Sequence, residues 1–264
     1  MARPNRYQLI LEEIFCSKYR KGVSEVAFDR RELVSAAQKL EIVLPKNLGD
    51  VIYAVRYRVA LPDSILKTQP KGKEWVIEGA GRARYCFKLV AINRIVPNPI
   101  LLAIKIPDAT PEIVAKHSLS DEQALLALVR YNRLIDLFFG VVAYSLQNHL
   151  RTTVKNVGQI EIDEIYAAVD RHGRQFIIPV QAKGGTDQIS VVQSKQDIRC
   201  CAQKFPDLIC RAVSAQFLSD DTVVLFELVL DGDDVKVAQE QHFQLVEADS
   251  ISAKDLSGYA DRSN

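Results

Sequence analysis

The sequence is poor in the features that announce several common protein classes. Its five cysteines (Cys16, Cys86, Cys200, Cys201 and Cys210) are odd in number and include no CxxC pair. That argues against a disulfide framework and a cysteine-based zinc site, and leaves them as small buried hydrophobes. Long apolar runs are missing too: the stretch from Leu137 to Leu146 is far short of the ~20 residues a membrane-spanning helix needs, so no membrane partner is expected. The opening MARPNRYQLILEEIF has no apolar core followed by a small-residue cleavage site, and a cytoplasmic protein is expected. None of the four histidines (His117, His149, His172 and His242) sits at metal-ligand spacing. No Ser-His-Asp, phosphate-loop or dinucleotide motif is found, nor any internal repeat or low-complexity tract.

Net charge is also nearly absent, at +1 over 264 residues, but the balance hides an asymmetry. Residues 1–100 carry 18 basic and 10 acidic side chains, and the remaining 164 carry 16 and 23. A basic front joined to an acidic rear points to nucleic-acid contact by the front. With 48% hydrophobic residues the chain can bury a proper core, and at ~150 residues per domain its length predicts two domains.

In the front third, Tyr7, Ile10, Leu11, Ile14 and Phe15 recur at helical spacing up to about Tyr19. Asp29 and Glu32 form a capping-box start for a second helix carrying Leu33, Ala36, Ala37 and Leu40. A third helix is expected after Pro45, burying Leu48, Val51, Ile52, Val55 and Val59 and ending at Pro62. KEWVIE (73–78) and RYCFKLV (84–90) then read as two strands of a hairpin. Three helices and a hairpin resemble the winged-helix order, in which the third helix enters the major groove and the hairpin wing lies along the DNA backbone. The predicted DNA contacts are Asn47, Tyr53, Arg56 and Arg58 on the third helix and Lys71, Lys73, Arg82 and Arg84 on the wing.

Beyond a proline-bearing connection, Ser120 and Gln123 start a strongly apolar helix over SDEQALLALVRYNRLIDLFF, ended or bent at Gly140. VVAYSLQNHLRTTV is read as a further helix. From Gly158, Gln159, Glu161 and Asp163 alternate with Ile160 and Ile162, placing the polar three on one face of a strand. Asp170 to Gly173 form a turn, and the returning apolar run Phe176–Lys183 ends with Gln181 and Lys183 on one face and Ala182 on the other. Carboxylates, an amide and a lysine gathered at one strand end are costly unless paired or bound to an ion. A helix with Gln188, Gln193, Lys195 and Gln196 follows, then strands over Leu208–Phe217, Thr222–Leu230 and Val235–Val246.

The span from Glu161 to Asp197 resembles the PD-(D/E)xK nuclease superfamily, which includes many type II restriction endonucleases, in its Gln-x-Lys variant. That resemblance implies Asp163 as the Mg²⁺-binding carboxylate, Gln181 at the second-acid position, and Lys183 orienting or helping to deprotonate the attacking water. Because Gln181 is neutral, the Ala182 backbone carbonyl is expected to share in binding the metal, with help from Glu161 or Glu164. Gln193, on the trailing helix, joins the DNA contacts.

The fold class expected is α+β. Residues 1–95 form the winged-helix domain, 96–118 a linker, 119–248 an α/β restriction-endonuclease-like core with a mixed sheet flanked by helices, and 249–264 a polar tail. The expected function is Mg²⁺-dependent hydrolysis of phosphodiester bonds in double-stranded DNA by a homodimer, with a companion DNA methyltransferase. The alternatives are a non-catalytic DNA-binding regulator with a degenerate nuclease-like domain, and a structure-specific repair nuclease.

Overall fold

The computed structural model describes residues 5–57, 59–91, 95–117, 122–184, 189–218, 221–232 and 234–261, with the side chains of Tyr53, Arg56 and Tyr57 not among them. The chain divides into two units, residues 1–92 with 153–160 and residues 93–152 with 161–264.

The first unit begins with α1 (Arg6–Lys18), whose Asn5 side chain accepts the Tyr7 N–H while the Gln8 side chain accepts the Asn5 N–H. Strand β1 (Glu25–Asp29) follows, which the sequence does not announce. Asp29 ends it and caps α2 (Arg30–Lys39), with Glu32 reaching back to close the predicted capping box. The third helix, α3 (Gly49–Tyr57), is shorter than expected; Pro62 precedes a separate turn, α4 (Asp63–Leu66), instead of ending α3. Strands β2 (Lys73–Gly79) and β3 (Arg84–Ala91) form the predicted hairpin, and β1 adds antiparallel to β3, giving the order β1-β3-β2. The core is aromatic: the Phe15 ring lies 5.1 Å edge-on from both Trp75 and Phe87, and Phe28 lies 5.0 Å from Phe87. Gly79 is required by its surroundings, since a Cβ there would stand 1.8 Å from the Val157 carbonyl oxygen.

The second unit is a mixed sheet with helices on both faces. Strand β4 (Ile104–Pro107) and α5 (Glu112–His117) occupy the stretch read as a linker. The long helix expected next is split into α6 (Glu122–Tyr131) and α7 (Leu134–Phe139). The cause is Asn132: its buried side chain donates to Leu128 O, Asp108 Oδ1 and Thr110 Oγ1 and accepts the Ala109 N–H, while Arg133 turns left-handed at φ 51°. Gly140, at φ 62°, ends α7. The segment read as a helix over 141–154 is instead strand β5 (Val142–Val154), the outer neighbour of β6 (Gly158–Val169). Val142, Thr152, Thr153 and Val154 are β-branched, and pairing with β6 outweighs the helical spacing of the leucines.

Strand β7 (Gln175–Gly184) runs antiparallel to β6, then α8 (Val191–Lys204) crosses to β8 (Ile209–Cys210) and β9 (Ala212–Phe217), both parallel to β7. Strands β10 (Thr222–Asp231) and β11 (Asp234–Val246) continue the sheet, which reads β4-β11-β10-β9-β7-β6-β5. Alternation along β7 sorts its two faces. Phe176, Ile178, Val180 and Ala182 pack with Leu125, Leu126, Val129 and Phe138 of α6 and α7; Ile177, on the other face, packs with Ile165 and Cys201 beneath α8. Full burial of each large apolar side chain stabilises by about 1.5–3 kcal/mol. Within the stretch expected as a polar tail lies a helix, α9 (Ala253–Ala260), where the Tyr259 hydroxyl accepts the Lys105 N–H of edge strand β4 and Asp255 pairs with the Lys105 ammonium at 3.2 Å.

Candidate functional site

The β6–β7 register begins at Glu164 opposite Val180, so Asp163 and Gln181 lie one step beyond it, where the strands part. A two-residue period turns Asp163, Gln181 and Lys183 toward the α8 face and Glu164 to the opposite one. Asp163 Oδ2 accepts the Ala182 N–H at 2.9 Å. The Ala182 carbonyl leaves the strand on the same edge as its N–H and faces the same way. Burial pushes the Asp163 carboxyl above the usual carboxylate range; the Ala182 N–H and the Lys183 charge oppose that shift, while Glu122 and Glu161 add to it.

Lys183 is 14% exposed at its side chain and donates to Glu122 Oε1 at 3.0 Å, across 61 residues of sequence. Glu122 is the first described residue of α6, and no local pattern in the sequence marks it. The capping residue expected at that helix start, Ser120, lies outside the described residues.

Gln181 is buried and engaged at both ends of its amide. Its Nε2 donates to Asp197 Oδ2 at 2.8 Å and to the Glu161 carbonyl at 3.3 Å, and its Oε1 accepts from Gln193 Nε2 at 2.6 Å. Gln193, expected against DNA, is thus turned inward, because positions 193 and 197 share the sheet-facing side of α8. Lys195 and Gln196 are likewise buried and not surface groups, and Gln188 lies outside the described residues. Asp197 is a site residue that nothing local in the sequence marks, because the buried side of α8 also carries Ser194, Lys195 and Gln196. It is 2% exposed, and its Oδ1 has no hydrogen-bond partner among the described residues. Burial holds the Asp197 carboxyl well above its ordinary range, against the hydrogen bond from Gln181.

Of the two further carboxylates considered for the metal, Glu161 stays near the site and is flanked by His149 Nδ1 at 3.3 Å and Arg151 Nε at 3.2 Å. Glu164 does not: it is completely buried on the α6 face, where Arg130 grips both its oxygens at 3.0 Å and Ser145 Oγ donates at 2.5 Å. The alternation of β6 makes that separation unavoidable. Among the described residues, no three His, Cys, Asp or Glu side chains converge to hold a metal ion. The donors that do gather are hard oxygens, the Asp163 carboxylate and the Ala182 carbonyl, a set compatible with Mg²⁺, which keeps several of its waters.

In the first unit, Lys71, Lys73, Arg82 and Arg84 are all exposed at or near the β2–β3 hairpin. Asn47 is not free to read a base: its Oδ1 accepts the Gly49 N–H and its Nδ2 donates to Asp50, so it serves the start of α3. Arg58 and the side chains of Tyr53 and Arg56 lie outside what is described. No family model matches the chain, and neither does any curated protein or solved structure.

Proposed function

We propose that the chain is a Mg²⁺-dependent endonuclease of double-stranded DNA, sequence-specific in the manner of a type II restriction enzyme, built on a PD-(D/E)xK-like core behind a winged-helix-like reader. The observation that carries this reading is the meeting of Asp163, the Ala182 backbone and Lys183 at the diverging ends of two paired strands, with Lys183 held by Glu122. Asp163 and the Ala182 carbonyl would hold Mg²⁺, whose contribution is Lewis-acid stabilisation of charge on the scissile phosphate. The Lys183 ammonium is aimed by Glu122, so it can orient a water beside that phosphate. The exposed cations of the hairpin supply the phosphate contacts that set register on a duplex. A homodimer matches a palindromic target, and a methyltransferase partner would protect host DNA.

A second reading, a DNA-binding regulator with an inactive nuclease-like unit, is favoured by one observation: Gln181 is neutral and both ends of its amide are already occupied. Incubation of the purified chain with unmethylated plasmid and Mg²⁺ separates the two. Discrete fragments are expected, and Lys183→Ala should abolish them while leaving DNA binding intact. Binding without cleavage under Mg²⁺ or Mn²⁺ would leave the regulator standing.

A further inference from the structure

Asp197 is a carboxyl in an expensive place. Burying such a group is strongly unfavourable unless its oxygens are satisfied, yet Oδ1 finds no hydrogen-bond partner among the described residues. Leucine or asparagine would fill the same volume at lower cost, so packing does not account for the acid. The hydrogen bond it accepts from Gln181 Nε2, at 2.8 Å, does something specific. A glutamine amide can sit either way round. Here two acceptors, Asp197 Oδ2 and the Glu161 carbonyl, stand against its nitrogen and fix which end is which, and Gln193 Nε2 then donates to its oxygen. Asp163 and Lys183 are both close enough to act on the Asp197 carboxyl electrostatically. Strand position 181 thus carries an amide where an acid is expected, and the missing acid stands directly behind it on α8.

We propose that Asp197 is a positioning residue for the metal site, acting through Gln181, and that the two side chains form one acid–amide unit whose members can exchange places. This rests on the nuclease reading. In the unit, α8 contributes the acid and β7 the amide, and Gln193 clamps the amide oxygen. Gln181→Glu alone would set two carboxyls against each other across 2.8 Å, so that one of them must hold a proton and the charge facing the metal is no longer fixed. Asp197→Asn alone removes the acid. The double substitution restores the pairing with donor and acceptor reversed: the amide nitrogen, now on α8, donates to the carboxylate, now on β7. Its cost is at the Glu161 carbonyl, where the long 3.3 Å hydrogen bond becomes an oxygen–oxygen contact.

The test uses the full chain with four sequences at these two positions: the wild type, Gln181→Glu, Asp197→Asn, and both together. Three readouts are taken: plasmid cleavage as a function of Mg²⁺, Mn²⁺ affinity by electron paramagnetic resonance, and thermal melting. Each single substitution should weaken Mn²⁺ affinity and cleavage by about tenfold, and the double should recover to within about threefold of wild type. Melting shows that the singles remain folded. If both singles bind Mn²⁺ like wild type, or if the double is no better than the worse single, the proposal is overturned. If the metal-affinity pattern holds but no variant, wild type included, cuts DNA, the acid–amide unit stands and the nuclease reading falls.

Discussion

Asp163 carries the clearest consequence of a single residue's surroundings. Burial raises its carboxyl pKa in the folded chain, so the folded state holds that proton more tightly than the unfolded state does. Its contribution to stability is therefore present below the unfolded carboxylate value of about 3.9 and is lost as pH rises through the folded one. At neutral pH an ionised Asp163 is a cost the fold carries for the site. Asp163→Asn keeps an oxygen for the Ala182 N–H and removes the charge. It should melt higher than wild type at pH 7–8, with the advantage vanishing below about pH 4, while cleavage disappears. Thermal melts across that range check the sign, and a variant that melts lower at neutral pH contradicts the argument. Glu164, one position further on, shows how finely the strand divides labour: an acid one step along is a buried anchor for Arg130 on α6.

At the scale of elements, the approach of Gly79 to Val157 is the most exacting in the first unit. Gly79→Ala would drive a methyl group to 1.8 Å from a backbone oxygen, and neither backbone can yield cheaply. The expected destabilisation is about 1–3 kcal/mol or more by urea denaturation. Gly258→Ala in α9, where a Cβ meets nothing within 4 Å, should instead be neutral or stabilise by about 0.5–1 kcal/mol, and is the control. What can be read from the sequence follows the reach of the signal. The Asp29–Glu32 capping box, the β2–β3 hairpin and the face shared by Asp163, Gln181 and Lys183 are local patterns of period three to four or two, and they are legible. Strand β5 is not, because its leucines and amides mimic a helix; only its pairing with β6, a non-local fact, decides the matter. The break between α6 and α7 depends on Asn132 reaching Asp108 and Thr110, and β1 exists because β3 is there to receive it. For the same reason the strand half of the site is visible, whereas Glu122 and Asp197 are not: they arrive from helices 61 and 16 residues away from their partners.

For the whole molecule, a total charge of +1 conceals opposed demands. On the proposed nuclease reading, the basic first hundred residues would meet phosphate, and the acidic remainder would include carboxyls that approach DNA only with a cation between. Binding to a duplex, measured by fluorescence anisotropy without divalent metal, should weaken linearly in log-log form as salt rises. Replacing Lys71, Lys73, Arg82 and Arg84 by glutamine should flatten that slope by about 0.9 for each phosphate no longer neutralised. An unchanged slope would remove the hairpin from the interface. The large sheet, finally, has two unlike ends. At β4 the Lys105 N–H, which would otherwise await another strand, is already taken by the Tyr259 hydroxyl, so α9 works as a stopper. At the other end lies β5, thirteen residues long and largely exposed, its regular backbone interrupted by His149 at φ 49°. The two edges are therefore guarded by different devices, a borrowed hydroxyl at β4 and a backbone kink at β5.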